Sequence, residues 1–437
     1  MALHFVSNVS TRLLMWQRVR EYAVPPSMID TATARRAVGD WAGACAAARV
    51  DVDLDLRALR DRHGTETVTC LRRDLRRLAP DLLRWHAPRI APDGRLRPGL
   101  TIALADYRRS DGTPVRLVAR TPPSWADAGQ RMSLALWDGG PCHHPHPHPD
   151  RRFRLDLHRH LWDSTRSAEL ARRCGDSGST WAVSRWAAEA ETLLLSQGRP
   201  RGAFTVRLGP RERAVLELVA PDDSHAPTFR PVREALPPQE IAALPLLPEA
   251  AARTLPDLEL LRAGLVAPGR LHPLVAEALA GFGPAPTARG VPEPVDPQRV
   301  ECRGEIHRIG LRDGVLTAID HDAAQLRRED LLVALGGPPL PCLRAIDAVH
   351  RDPQALPAVR ERLRHGDPAG ALAVVEGLLG PAAILRDGPL REELETAAAR
   401  RVDHGLFRSR LATAHPTRAH GGGDPRRRKR NSRAHTR

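Results

Sequence analysis

Proline recurs 40 times in these 437 residues, and 33 glycines join it. Each proline removes a backbone donor and fixes φ, so neither a long helix nor a central strand runs through one comfortably. The spacing therefore predicts many short elements joined by turns. Hydrophobic residues make up 42% of the chain but aromatics only 4%, so the cores must be built mainly from Ala, Leu and Val. Domains hold roughly 100 to 200 residues each, so this length suits two or three compact units.

Turn and cap signals set the expected organisation. Residues 1–24 read as a poorly ordered N-terminal extension, with Met15 as an alternative start. Residues 25–138 read as a helical hairpin followed by an antiparallel β-meander. Ser27 caps a first helix over 28–38, Gly39-Asp40 breaks it, and a second helix covers 41–49. Val50, Val52, Leu54 and Leu56 then alternate with Asp51, Asp53 and Asp55 as a strand does. Val68, Leu71, Leu75 and Leu78 predict a helix over 66–78, with Arg72, Arg73, Arg76 and Arg77 on its wet face. Strands over 100–107 and 115–120 flank Ser110-Asp111-Gly112, and 130–137 makes a third.

A His/Pro-rich loop follows at 139–152. Next comes a mostly helical Leu/Ala/Pro-rich region at 153–283, with helices over 161–174 and 181–197. Residues 284–298 carry five prolines and read as a linker. Region 299–407 combines a hairpin around Arg312-Asp313-Gly314 with C-terminal helices, and 408–437 is a disordered arginine-rich tail. The expected class is α+β, with helical hairpins combined with small antiparallel hairpins or a meander, in two to three units.

One phrase recurs. GDWAGA (39–44), GRPRGA (198–203) and GDPAGA (366–371) share the spacing G-x-x-x-G-A after a helix-like run. The first glycine ends one helix, and the Gly-Ala pair lets the next pack closely, giving an αα-hairpin. The first and third copies resemble the inter-helix turn of tetratricopeptide repeats. The copies are too far apart for that repeat's period of roughly 34 residues, so isolated hairpins are expected, not a solenoid.

The net charge is +14, and residues 408–437 hold ten basic residues against Asp424 alone, leaving +5 for the body. Lys429 is the single lysine among 66 basic residues. So complete a use of arginine reads as the coding bias of a GC-rich bacterial genome. Arg426, Arg427, Arg428, Lys429, Arg430 and Arg433 can neutralise several phosphates, which would give salt-sensitive, sequence-independent nucleic-acid binding. The competing readings are a solubilising tail and a readthrough extension of no function.

Cys45, Cys70, Cys142, Cys174, Cys302 and Cys342 are scattered without a C-x-x-C pair, which suits a reducing compartment. The first residues lack a secretory pattern, and no apolar run reaches the roughly 18 residues of a membrane helix. The expected location is cytoplasmic, with no membrane partner.

The densest set of potential ligands is Cys142, His143, His144, His146 and His148. Such tracts bind zinc, nickel or copper, but prolines alternate with the ligands here and no acidic or helical frame holds them, so an ordinary loop is the competing reading. His158 and His160 read as hydrogen-bonded fold histidines. Asp51, Asp53 and Asp55 open like an EF-hand loop, but Leu56 and Arg62 stand where its glycine and glutamate belong. His321 between Asp320 and Asp322 is similar to the paired histidine-aspartate of metal phosphohydrolases, but that site also requires a distant His and Asp on neighbouring helices, so a turn is the expected reading. The chain carries no P-loop, dinucleotide fingerprint, nucleophile elbow or HExxH. Catalytic residues are therefore unassigned and no cofactor is expected. The apolar pair of segments around Gly264 has no base-reading side chains and is not a DNA-binding helix pair.

The phrases YAVPPSMIDTATARRAVGDWAGACAAARVDVDLDL, FRLDLHRHLWD and GEIHRIGLRDG resemble those of a family of uncharacterised actinobacterial proteins. The resemblance covers most of the chain apart from the first residues and the tail, and it implies no activity, cofactor or partner.

The leading expectation is a non-catalytic cytoplasmic interaction or scaffold protein with an unidentified protein partner. The second is an accessory nucleic-acid binder acting through the tail. The third is a metal-dependent enzyme at the histidine loop.

Overall fold

The computed structural model of the chain describes residues 10–411, apart from 108–112, 141, 143, 176–177, 220–225, 234, 283–298, 303, 313–314, 352–354 and 381–383. Within them the chain is a mixed α+β protein of short helices and several small sheets. It divides into two units, one of residues 1–121 and 130–294, the other of 122–129 and 295–437. The expected linker, the Ser110-Asp111-Gly112 turn, His143 and the basic residues 426–433 lie outside the described residues. No described helix is long and apolar enough to cross a membrane.

The first unit opens on α1 (Thr11–Tyr22), where the sequence predicts a loose extension. Ser10 caps it, and it buries Met15, Val19 and Arg20. The sequence misleads here because the helix is held by a buried ion pair from Arg20, which leaves no apolar stripe to read. α2 (Pro26–Ala37) starts at Pro26 after Pro25, so proline in the first turn sets its start and Ser27 is no cap. α3 (Trp41–Ala47) and β1 (Val50–Asp53) follow. Asp55 belongs to the next helix, α4 (Leu56–Arg77), where it accepts from Arg57 and Ala58 N–H. α4 therefore starts well before the predicted helix, though Gly64 at φ 86° interrupts it. Arg72, Arg73, Arg76 and Arg77 are exposed on it, as the periodicity predicts.

After α5 (Pro80–His86) come β2 (Thr101–Asp106), β3 (Arg116–Arg120) and β4 (Met132–Trp137). The sheet order is β1-β4-β3-β2, antiparallel except where β1 lies parallel to β4 at the edge. Its core includes Leu71, Leu75, Trp85, Ile102, Leu117 and Trp162. The predicted helix over 161–174 is α-helical only at Leu170–Arg173. Asp163 accepts from the Thr165 N–H and hydroxyl, a local turn that competes with the helix.

α6 (Trp186–Leu195) packs on a second antiparallel sheet of β5 (Gly202–Arg207), β6 (Arg213–Val219) and β7 (Thr228–Pro231). Trp186, Ala190, Phe204 and Leu247 fill the core between them. α7 (Pro256–Arg262) follows.

The second unit is a meander of β8 (Arg299–Cys302), β9 (Glu305–Arg312) and β10 (Val315–Ala318). Five helices follow: α8 (Ala323–Ala334), α9 (Pro341–Arg351), α10 (Leu356–Arg364), α11 (Pro368–Leu379) and α12 (Pro389–Arg408). Its core includes Ile309, Leu316, Ile346, Val359 and Val375.

Two of the three repeated phrases make the same corner, one in each unit. At α2–α3, Gly39 takes φ 76°, Asp40 accepts from Gly43 N–H at 2.8 Å, and Arg35 Nη1 reaches the same carboxylate at 3.2 Å. At α10–α11, Gly366 takes φ 77°, Asp367 accepts from Gly370 N–H at 3.2 Å, and Arg362 Nη1 donates at 3.2 Å. The third phrase is not a helical hairpin, because Gly202 begins β5.

Candidate functional site: an arginine-lined cavity

A cavity of about 510 Å³ opens in the first unit where its two cores meet. That volume lies in the range of roughly 300 to 1,000 Å³ typical of ligand sites. Arg12, Arg20, Arg89, Arg97, Arg152, Arg173, Arg207 and Arg253 all line it, with Glu249 the one carboxylate on its wall.

Four of these arginines are tied down from behind. On α1, Arg20 Nε and Nη2 donate to the two oxygens of Asp257 on α7 at 2.8 and 2.7 Å. Its Nη1 donates to the Trp85 carbonyl at 2.7 Å, and its guanidinium lies 4.9 and 4.5 Å from the Trp16 and Trp85 rings. Trp85 Nε1 also donates to Asp257, so both carboxylate oxygens are used. Arg12, two helical turns earlier, bonds Glu259. Arg152 pairs with Asp150 at 2.6 Å, and Arg173 with Glu189 at 2.6 and 2.9 Å.

Among the described residues the other four make no ion pair or hydrogen bond with a carboxylate, although Glu249 and Glu259 act on Arg253 and Asp150 on Arg97 through space. Arg89 is 6% exposed and donates only to the carbonyls of Arg84, at 2.6 Å, and Gly94, at 3.5 Å. Arg207 donates to the Gly209 carbonyl at 3.1 Å, and Arg253 lies 4.1 Å over the Trp181 ring. The Nε atoms of Arg89 and Arg97 are buried without a hydrogen-bond partner, as are His86 Nε2 and Thr254 Oγ1, all from residues on this wall. A buried polar atom left unpaired costs about 1 to 3 kcal/mol, more when charged, and is rare in native proteins.

Charge accounting points the same way. Eight arginines face Glu249, Glu259, Asp257, Asp150 and Glu189, an excess of three positive charges with the histidines neutral. Burial, with Arg20 close by, pushes the Arg89 guanidinium down to about 9, the mark of a charge that lacks a counter-ion. Burial likewise pushes His86 down to about 3 and holds His160 well below its ordinary value, so both imidazoles are neutral near pH 7. The cavity is thus a concave wall of fixed donors with few acceptors. Arg89 lies in a two-residue ladder of residues 89–90 and 95–96 and Arg97 directly follows it, which fixes their spacing.

The histidine loop takes a different part. His144 Nε2 lies 2.8 Å from the Thr121 carbonyl, and its Nδ1 lies 2.9 Å from the His146 carbonyl and 3.2 Å from the His146 N, so the ring pins the loop with both nitrogens in use. His146 stands against Gly99, and His148 lies edge-on to Trp137 at 6.1 Å. Cys142 accepts from His144 N–H at 3.3 Å. His146 and His148 line a neighbouring cavity of about 520 Å³ that shares Arg97 and Arg152 with the first. Among the described residues the loop does not bring ligand atoms together; the one converging group is Cys302, His321 and Cys342 in the second unit.

His158 and His160 are 2 and 3% exposed and stack at 5.8 Å beside Arg173, the fold histidines that the sequence predicts. Asp51, read as a wet strand face, pairs with Arg131.

Sequence reasoning missed the cavity. Its arginines come from six separate stretches of chain, and no local pattern marks any of them.

No protein-family model, curated protein or solved structure matches the chain. The reading of the site therefore rests on its own chemistry.

Proposed function

We propose that the first unit is a binding module for a compact polyanion, a phosphorylated small molecule of nucleotide size. One observation carries this: eight arginines line a single ligand-sized cavity, and among the described residues the buried Nε atoms of Arg89 and Arg97 on its wall have no hydrogen-bond partner. Guanidinium groups match phosphate oxygens with paired donors, and burial makes each such bond stronger than it is in water. Trp16 and Phe153 on the same wall offer apolar faces to the rest of the ligand. This reading departs from the expected protein partner and puts a small anion in its place. The tail reading stands apart from this proposal, since residues 426–433 lie outside the described residues.

Thermal denaturation against a panel of anions tests the proposal. Tripolyphosphate or a nucleoside triphosphate at a hundred times its Kd should stabilise the chain by about 2.7 kcal/mol. Arg72→Gln/Arg76→Gln, on the exposed face of α4, should keep that response. Equal stabilisation by chloride at matched ionic strength would reduce the effect to screening and end the proposal.

A second reading follows from the second unit. Leu331, Leu332, Val333 and Leu335 are 65, 46, 40 and 86% exposed in the last turn of α8 and its C-cap. Four exposed apolar side chains gathered at one helix end support a protein contact made there. Sedimentation of the wild type and of Leu331→Glu/Leu335→Glu decides it. A wild type that stays monomeric with every purified candidate partner removes this reading.

A further inference from the structure

The meander and α9 bring together side chains far apart in sequence. Val300 pairs with His307, and Ile309 with Ala318, so Val300, Cys302, His307, Ile309 and Ala318 share one face under strand alternation. That face packs on α9, whose Cys342 and Ile346, one turn apart, are 0 and 3% exposed. His321 follows β10 at the same end. The result is Cys302 and Cys342, each fully buried, with His321 at 5% exposure, and ligand atoms of all three within 4.8 Å of one another.

An independent observation marks the imidazole. His321 Nδ1 is buried and has no hydrogen-bond partner, while its Nε2 lies 2.8 Å from His307 Nδ1, the rings 4.3 Å apart. Holding one ring nitrogen and leaving the other as an unused buried lone pair is the arrangement that metal-bound histidines require. Backbone and carboxylate groups have not satisfied this nitrogen.

We propose that Cys302, Cys342 and His321 Nδ1 bind one zinc ion, with His307 orienting His321 from behind. The donor set selects the metal. Two thiolates and an imidazole suit zinc, whereas calcium and magnesium require oxygen ligands that this cluster lacks. Loss of one proton from each thiol makes the ligands, and the ion offsets the two negative charges. The three ligands tie the hairpin end, the turn after β10 and the start of α9 to one point, so the ion fastens the meander to its covering helix. The sequence hides this because the spacing is C-x4-H-x13-H-x20-C, with no two cysteines close enough to read as a ligand pair.

The test uses the full chain, purified from zinc-supplemented medium, with Cys142→Ser/His143→Ala/His144→Ala/His146→Ala/His148→Ala introduced throughout so that the histidine loop contributes nothing. Elemental analysis should find about one zinc per chain after dialysis against a mild chelator. Cobalt added to the stripped protein should give the intense visible bands of a tetrahedral site and a thiolate charge-transfer band. Cys302→Ser and Cys342→Ser should each remove the charge-transfer intensity or the stoichiometric metal. His307→Ala should keep the metal with affinity lowered roughly 10- to 100-fold, as loss of an orienting partner does. Should a thiol variant fail to fold, the protein with Cys302 and Cys342 intact still decides the matter through its zinc content and cobalt spectrum. No zinc in that protein, copper in its place, or a Cys302–Cys342 disulfide found by mass under reducing-agent-free conditions would each overturn the proposal.

Discussion

Replacing Asp257 with Asn is the sharpest single perturbation of the first unit. The Asp257 side chain is fully buried, and its oxygens accept from Arg20 Nε, Arg20 Nη2 and Trp85 Nε1 at 2.8, 2.7 and 3.0 Å. Asparagine keeps the shape but removes the charge, and its amide presents a donor where an acceptor is needed. Arg20, 5% exposed, is then a buried cation without a counter-ion. Breaking one side of such a pair costs about 3 to 5 kcal/mol. For a unit of this size each kcal/mol shifts the melting midpoint by roughly 2 to 4 °C, so a fall on the order of 10 °C is expected in scanning calorimetry. Arg20 also lines the cavity, so the variant raises the cavity's positive excess by one charge. Added tripolyphosphate should then stabilise the variant more than the wild type. A loss below about 1 kcal/mol would show that Arg20 reaches water in the variant, and a smaller anion response than wild type would refute the electrostatic account of the cavity.

Two further outcomes follow. His86 and His158 both have folded values of about 3 through burial, below the ordinary 6.5, so the folded state holds them neutral and the unfolded state takes up the protons. Their contribution is therefore complete above about pH 6.5 and is lost as pH falls toward 3; between pH 7 and 5.5 urea unfolding should show a loss of roughly 2 to 3 kcal/mol, and a flat profile over that window would contradict it. Gly39→Ala and Gly366→Ala test the shared corner: each forces alanine into a left-handed conformation at a cost of about 1 to 2 kcal/mol, but at Gly366 the new Cβ also meets the Gly129 carbonyl, whereas at Gly39 it meets open space, so equal losses by denaturant titration would be the wrong result.

The parts of the fold governed by local chemistry were legible in the sequence. Gly-Asp followed by Gly-Ala is a cap and a close approach in four positions, and both GD copies form the corner it encodes. The stretch 299–319 reads as one hairpin, and the structure has that pair plus a further strand, β8, because the chain turns again near Gly304 at φ 85°; proline spacing announces short elements. Legibility fails where a charge stands in for an apolar contact. α1 lacks a clear stripe because its anchor is Arg20 on Asp257, 237 residues away. The cavity is hidden for a related reason. In a chain whose basic residues are nearly all arginine, no single arginine is informative, and compositional bias explains them as well as function does. Only the tertiary fold shows that eight of them share one wall. The cysteine-histidine cluster is likewise assembled by strand register and one helix.

The central claim is that the cavity of the first unit holds a polyanion, and calorimetric titration of tripolyphosphate into the full chain tests it most directly. Wild type should bind one equivalent, with affinity that weakens as salt rises. Arg89→Met and Arg97→Met should each lower the affinity about tenfold or more, since hydrogen bonds to charged groups contribute roughly 1.5 to 3 kcal/mol. No binding heat at low salt, or binding that survives unchanged in Arg89→Met/Arg97→Met, would contradict the account.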